Sequence, residues 1–193
     1  MARPQEFDRD AVVDKAIEVF WSKGYEATSI QDLVEATDIN RGSLYNTFGD
    51  KAGLFTAAME RYSASSPSKR VIDAAEAGPP RETIENLFAE IVDHGAADAK
   101  CRGCLVTNTA TEMTGRDNAV AERIRTNMQR LEDAFLQLIE RGQACGEIAP
   151  WRAPRELARF LVASAQGMQV IAKVESDRHA LQDIADTVLS NLD

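Results

Sequence analysis

The run Asn40-Arg41-Gly42-Ser43 combines residue types that can recognise a partner with room for that partner to come close. An arginine fork can grip guanine bidentately, and an asparagine amide can do the same for adenine. The two small residues after them permit close approach. Upstream, Thr28 and Ser29 stand where a helix begins, so their hydroxyls and the free N–H groups beside them suit a phosphate. Tyr45 can reach a phosphate through its hydroxyl, and Lys51 adds a positive charge just beyond.

Two short helices, at about 30–36 and 40–46, would present these side chains. Thr37-Asp38-Ile39 forms the turn between them. A second helix laid in the major groove, with the first bracing it, is the geometry of a helix-turn-helix. The pattern alone leaves two readings open: a DNA-reading pair, or a solvated surface that happens to carry Arg, Asn and Tyr.

The rest of the chain reads as helix throughout. Val13, Ala16, Ile17, Phe20 and Trp21 draw one apolar stripe before a stop at Gly24. Ile30, Leu33 and Val34 mark the second helix, and Leu54, Phe55, Ala58 and Met59 mark a fourth over about 51–63. Residues 63–80 are weakly patterned and read as a ragged continuation passing into a loop. Beyond them, Ile84, Leu87, Phe88, Ile91 and Val92 define an amphipathic helix, and a short one follows at about 103–113. Val120, Ile124, Met128, Leu131, Phe135, Leu138 and Ile139 define the longest, ended by Gly142. Two last helices occupy about 154–174 and 177–192. No segment alternates as a half-buried strand does. The expectation is an all-α fold of about nine helices.

Composition sets limits. With 44% hydrophobic and 27% charged residues, the chain of 193 can bury a core, and it is not of the disordered class. No apolar run approaches the roughly 18 residues of a membrane span. Met1–Glu6 carries no apolar stretch with a cleavage site, so a cytoplasmic location is expected. The net charge of −9 opposes nucleic-acid binding, since compact DNA-binding modules are commonly basic. Residues 1–51 do not relieve this, having six Lys or Arg against ten Asp or Glu, a balance of −4. Any DNA contact must be a local cationic patch on an acidic body. A Gly-rich phosphate loop, an HExxH pair and a nucleophile–base arrangement are all missing, so neither an enzyme nor a cofactor is expected. The remaining rival is a helical protein-interaction module.

The stretch from Gly24 to Lys51 closely resembles the N-terminal domain of the TetR family. It repeats that family's Gly-aromatic (Gly24-Tyr25), Thr-Ser-Ile (Thr28-Ser29-Ile30), Gly-x-Leu-Tyr (Gly42-Ser43-Leu44-Tyr45) and Phe-x-x-Lys (Phe48 to Lys51) landmarks in order, and the match covers about 8–55. The resemblance implies a ligand-responsive transcription regulator, in the main a repressor, that acts as a homodimer on a palindromic double-stranded operator. It makes residues 1–50 the DNA-binding domain, 51–63 a connecting helix, and 64–193 an effector-binding and dimerisation domain.

Asn40, Arg41, Gly42 and Ser43 would then face bases, while Thr28, Ser29, Tyr45, Asn46 and Lys51 would meet the DNA backbone. Trp21, Ile30, Leu33, Leu44 and Phe48 would be packing residues. Two departures stand out: Thr37-Asp38-Ile39 replaces the Ala-Gly-Val common at the turn, and Thr47 stands where many members have His. Arg3 and Arg9 could add to the patch from an N-terminal arm.

By position, the resemblance implies a small-molecule pocket lined from among Phe88, Ile91, Leu105, Asn108, Thr109, Glu112, Met128, Leu131, Phe135 and Met168. Asn108 and Glu112, one turn apart, could offer a joint polar handle. The last two helices would form a four-helix interface with a twin.

Cys101-Arg102-Gly103-Cys104 is a C-x-x-C, with Cys145 remote. A thioredoxin-like motif needs a strand–helix–strand setting, which is lacking, and structural zinc needs four ligands. Two readings remain: a plain apolar cysteine before Leu105 and Val106, or a thiol sensor at Cys104 activated by a helix N-terminus. Gly103-Cys104-Leu105 also resembles a branch of the TetR family in which some members respond to electrophiles.

Overall fold

The first helix begins where Asp8 can cap it. Its carboxylate accepts from the Asp10 and Ala11 N–H groups, opening α1 (Arg9–Lys23). The computed structural model describes residues 7–113, 115 and 117–193. Among them are ten α-helices, a terminal 3₁₀ turn (Ser190–Leu192) and no strand, so the all-α expectation holds and the count of nine falls one short. After α1 come α2 (Ile30–Thr37), α3 (Arg41–Phe48), α4 (Lys51–Ala64) and α5 (Pro67–Ala74). The remainder are α6 (Pro80–Ala97), α7 (Leu105–Met113), α8 (Asn118–Cys145), α9 (Pro154–Ile171) and α10 (Arg178–Leu189).

The extra helix is α5, in the stretch expected to be ragged and then loop. Its start follows ordinary rules: Ser66 caps it by accepting from the Lys69 N–H, and Pro67 sits at the first helical position, where no N–H is needed. Val71 anchors it in the core. Gly142 also departs from expectation, because α8 passes through it and ends at Gly146 in the left-handed conformation. Gly142 is there for space: a Cβ would lie 2.6 Å from Ile148 Cδ1.

Two apolar clusters organise the chain. One joins α1 to α4 through Val13, Phe20, Leu33, Leu44 and Phe55, and takes in Leu105 from α7. The other joins α5, α6, α8, α9 and α10 around Phe88, Phe135, Leu138, Leu161 and Leu181. The α9 residues Leu157, Leu161, Ala165 and Met168 face this second core. The opposite side of α9 exposes Phe160, Val170, Ile171 and, just past its end, Val174 at 86%. Such an apolar stripe at helical spacing is what a second helix pair would cover.

The turn between α2 and α3 depends on one strained residue. Asp38 closes α2 at φ 60 and ψ 30, a region in which a side chain costs roughly 1–2 kcal/mol and glycine is free. Asp38→Gly should therefore raise the thermal midpoint by about 2–4 °C while preserving helix content. A calorimetric midpoint that falls would show that the aspartate makes a compensating contact at the turn.

Candidate nucleic-acid interface

The α2–α3 pair is rigid before any partner arrives. At the start of α2, Ser29 Oγ accepts from the Asp32 N–H (3.1 Å), and the Asp32 carboxylate accepts from the Ser29 N–H (2.9 Å). Lys23 adds an ion pair to Asp32 at 2.6 Å. The Lys23 hydrogen bond, with those from Ser29, holds the Asp32 carboxyl down at about 2. Leu33 and Leu44, both wholly buried, lock the two helices together. Asn40 caps α3 by accepting from the Ser43 N–H at 2.8 Å.

What α3 turns outward is polar and small. Arg41, Gly42, Asn46 and Thr47 are exposed, and Ser43 and Tyr45 are half-buried. The Arg41 guanidinium donates to the Tyr45 hydroxyl (3.3 Å) and lies 5.4 Å from its ring centroid. Among the described residues it pairs with no carboxylate, so an exposed arginine fork stands free of the surrounding acidic groups. Arg9 reaches the far end of the helix, 5.3 Å over the Phe48 ring. Arg3 lies outside the described residues.

Three expected contacts have other work. Thr28 is 1% exposed and its hydroxyl donates to the Gly24 carbonyl (2.6 Å), so that hydroxyl is not free to meet a phosphate. The Asn40 side-chain oxygen is held by the α3 cap, which removes the acceptor a bidentate grip on adenine would use. Lys51 donates to the Tyr25 and Thr28 carbonyls, both at 2.9 Å, with its ammonium 4.2 Å from the Tyr25 ring centroid. Its charge therefore ties the α1–α2 turn to α4. Burial pushes the Tyr25 phenol up, with Asp50, Glu26 and Asp117 adding to the shift.

The residues expected to line a pocket are mostly core. Phe88, Ile91, Leu131, Phe135 and Met168 are buried in the second cluster, and Leu105 belongs to the first. Met128 is half-buried. The Thr109 hydroxyl donates to the Leu105 carbonyl (2.8 Å) and lies 3.6 Å from Met59 Sδ. Asn108 and Glu112 do not form a joint handle. Asn108 donates to the Arg102 carbonyl (2.8 Å) and accepts from Lys173 (3.0 Å). The Glu112 carboxylate instead accepts from the Tyr25 and Glu26 N–H groups, at 3.0 and 2.8 Å.

A cavity opens between α4, α5, α7 and α8, and none of the residues expected to line a pocket borders it. It encloses about 640 Å³ and is walled by Phe55, Met59, Ile72, Val106, Val120 and Ile124. Phe55 and Met59, like Val120 and Ile124, sit at i and i+4, and such a pair reads as core until the facing helix is known to stand away from it.

The cysteine segment is a rivet. Arg102 lies over Trp21 (4.1 Å) and pairs with Glu18 (2.7 Å) and Asp98 (3.3 Å), while Trp21 Nε1 donates to the Gly103 carbonyl (3.1 Å). Cys104, half-buried just before α7, neighbours the Tyr62 hydroxyl; burial first and Cys104 second push that phenol far above its usual range. All three cysteines are free.

Two family models match this chain. "Bacterial regulatory proteins, tetR family" matches residues 12–58, and "Tetracyclin repressor-like, C-terminal domain" matches residues 80–188. Among curated proteins, the HTH-type transcriptional regulator YezE of Bacillus subtilis (strain 168) is 37% identical, with both chains covered in full. The HTH-type transcriptional repressor ComR of Escherichia coli (strain K12) is 36% identical over 97% of this chain and 90% of its own. Among solved structures, a cysteine-substituted form of the TetR family regulator CifR, complexed with 26-bp double-strand operator DNA, superposes with a TM-score of 0.87. It is 32% identical, with 100% of both chains covered.

Two measurements probe this surface. Arg41→Ala should cost about 1–3 kcal/mol of discrimination at one base pair per half-site, read with base-substituted duplexes; an unaltered preference would place base reading on another residue. For Asp32 the folded carboxyl is depressed from 3.8, so its stabilisation is complete above that pH and drains away as pH falls toward about 2. A carboxyl-carbon NMR titration should give a midpoint near about 2, and one near 3.8 would mean the cap and ion pair do not form in solution.

Proposed function

This chain belongs to the tetR family of bacterial regulatory proteins, and from that premise we propose that it is a dimeric repressor whose α3 reads an operator and whose α4–α5–α7–α8 cavity takes the effector that releases it. The observation that carries the reading is the exposed Arg41 fork, paired with no carboxylate among the described residues, at the start of a helix capped and locked against α2. With Gly42 and Ser43 beside it, this end of α3 can enter a major groove, while Ser29, Tyr45 and Asn46 lie near enough to meet the backbone. Its relatives are transcriptional regulators, a role that needs no catalysis, and this supports a regulator reading.

The N-terminal apolar cluster supports a reading domain at 1–50, and because α4 supplies Leu54, Phe55 and Ala58 to that cluster, 51–63 connects as part of its core. Residues 64–193 then carry the twin, and together with Phe55 and Met59 of α4 they carry the effector. The exposed stripe of α9 supplies the apolar part of a two-fold interface made by the last two helices. No described helix is long and apolar enough to cross a membrane.

Two recognition helices on such a dimer address successive major grooves roughly 34–36 Å apart. A cavity ligand that prefers a conformer with another spacing lowers operator affinity, and the operator lowers ligand affinity by the same factor. The cavity wall is apolar with charged residues at its rim, Lys69, Arg123 and Arg130 among them, which suits an amphipathic small molecule.

Selection from random duplex DNA should enrich a near-palindrome with half-sites about 10 bp apart. Compounds that release the winning duplex should lose that power in an Ile124→Trp variant, which fills the cavity. Failure to enrich any sequence would sink the regulator reading, and release undiminished by Ile124→Trp would move the effector to another site.

A further inference from the structure

Tyr25 and Glu26 follow the end of α1, whose own cap is closed by Gly24 N–H donating to the Phe20 carbonyl (2.8 Å). Their two N–H groups are taken by one carboxylate from the other part of the molecule, Glu112 on the last turn of α7. Each oxygen of that carboxylate accepts from one of two consecutive amides, a charge-assisted pair that fixes direction as well as distance. Glycine suits position 24, whose φ of 81 disfavours a side chain, and a Cβ there would lie 2.8 Å from Glu112 Oε2.

The first turn of α7 is fastened to α9 and its C-terminal extension. The Thr107 hydroxyl donates to Gln166 Oε1 at 2.7 Å, and Lys173 donates to Asn108 Oδ1 at 3.0 Å. Gln166 and Lys173 lie along the helix whose outer side carries Phe160, Val170 and Val174. A continuous line of bonded groups thus runs from α9 through α7 and Glu112 to the turn that opens α2, and α2 is locked to α3 by Leu33 and Leu44.

We propose that Glu112 is a positioning residue for operator recognition: its clasp on the Tyr25 and Glu26 amides sets the angle of the α2–α3 unit on the body, and so the separation at which a dimer accepts two half-sites. This rests on the reading of α3 as the operator-contacting helix. Glu112 does not line the cavity, and its carboxylate is taken up by the turn, through which it acts.

The test uses the full-length protein and the duplex that the unsubstituted protein selects, with versions lengthened or shortened at the centre by one or two base pairs. Each added pair moves the half-sites by roughly 3.4 Å and turns them by roughly 35°. Glu112→Ala should weaken binding to the preferred duplex by about tenfold, as expected for loss of a charge-assisted pair. It should also flatten the preference for spacing, so that off-length duplexes lose far less. Amide exchange at Tyr25 and Glu26 should quicken while helix content stays native. Glu112→Gln keeps volume and one acceptor, and should fall between the two.

Equal weakening at every spacing, or a spacing preference untouched in both variants, overturns the proposal, since a contact that merely stabilises the fold would act uniformly. Should Glu112→Ala fail to fold, Glu112→Gln decides on the same readout. If the unsubstituted protein selects no duplex, it is the reading of α3 that fails.

Discussion

Between α1 and α2 the chain turns through residues 24–28, and the turn bonds only part of its main chain from within, the Thr28 N–H reaching the Tyr25 carbonyl and the Thr28 hydroxyl the Gly24 carbonyl. Buried or half-buried amides and carbonyls cost free energy unless they are bonded. Here the Tyr25 and Glu26 amides are answered by Glu112 from α7 and the Tyr25 and Thr28 carbonyls by Lys51 from α4, with the Tyr25 ring packed against both Phe20 and Phe55. One anion and one cation, from opposite sides and distant in sequence, close the same few peptide units. The reading pair begins immediately afterwards at Ser29, so its orientation is inherited from this turn.

That arrangement bears on how an acidic protein handles a polyanion. The net charge of −9 repels DNA at long range, and the first 51 residues share the bias. The structure consumes many of the surplus carboxylates internally: Asp8, Asp32 and Asp50 cap helices, Asp14 holds Arg61, and Glu112 holds the turn. Among the described residues no carboxylate pairs with Arg41 at the outward end of α3. Charge position, rather than charge total, decides what this surface can meet, and a contact with little long-range attraction must draw its selectivity from short-range geometry. A rigidly set recognition unit is the physical answer to that requirement.

The body shows the same economy with apolar groups. Where α6, α8, α9 and α10 press together, Phe88, Phe135 and Leu181 are wholly buried in one core. Where α4 and α8 stand apart, side chains of the same type wall about 640 Å³ of space. Whether Val120 and Ile124 are core or cavity is set by the distance to the opposite helix, a quantity that no single helix encodes.

Much was legible in the residues themselves. Apolar periodicity located α1, α2, α4, α6, α8, α9 and α10 because a helical stripe is a local pattern, and Thr28 or Ser29 marked the start of α2 by the same local rules. The Ser66-Pro67 start of α5 was equally local, but its weak apolar pattern hid it. The exposed Arg41-Gly42 end of α3 followed from a family pattern held in one short stretch. What tertiary structure alone decided were the partners over long separations: that Glu112 bonds residues 86 and 87 positions away, that Lys51 serves carbonyls instead of solvent, and that Gly142 makes room for Ile148 instead of ending a helix. Sequence specifies which groups can bond and with what periodicity they face; only packing in three dimensions determines which bonded group stands opposite, because that depends on the sum of every helix position at once.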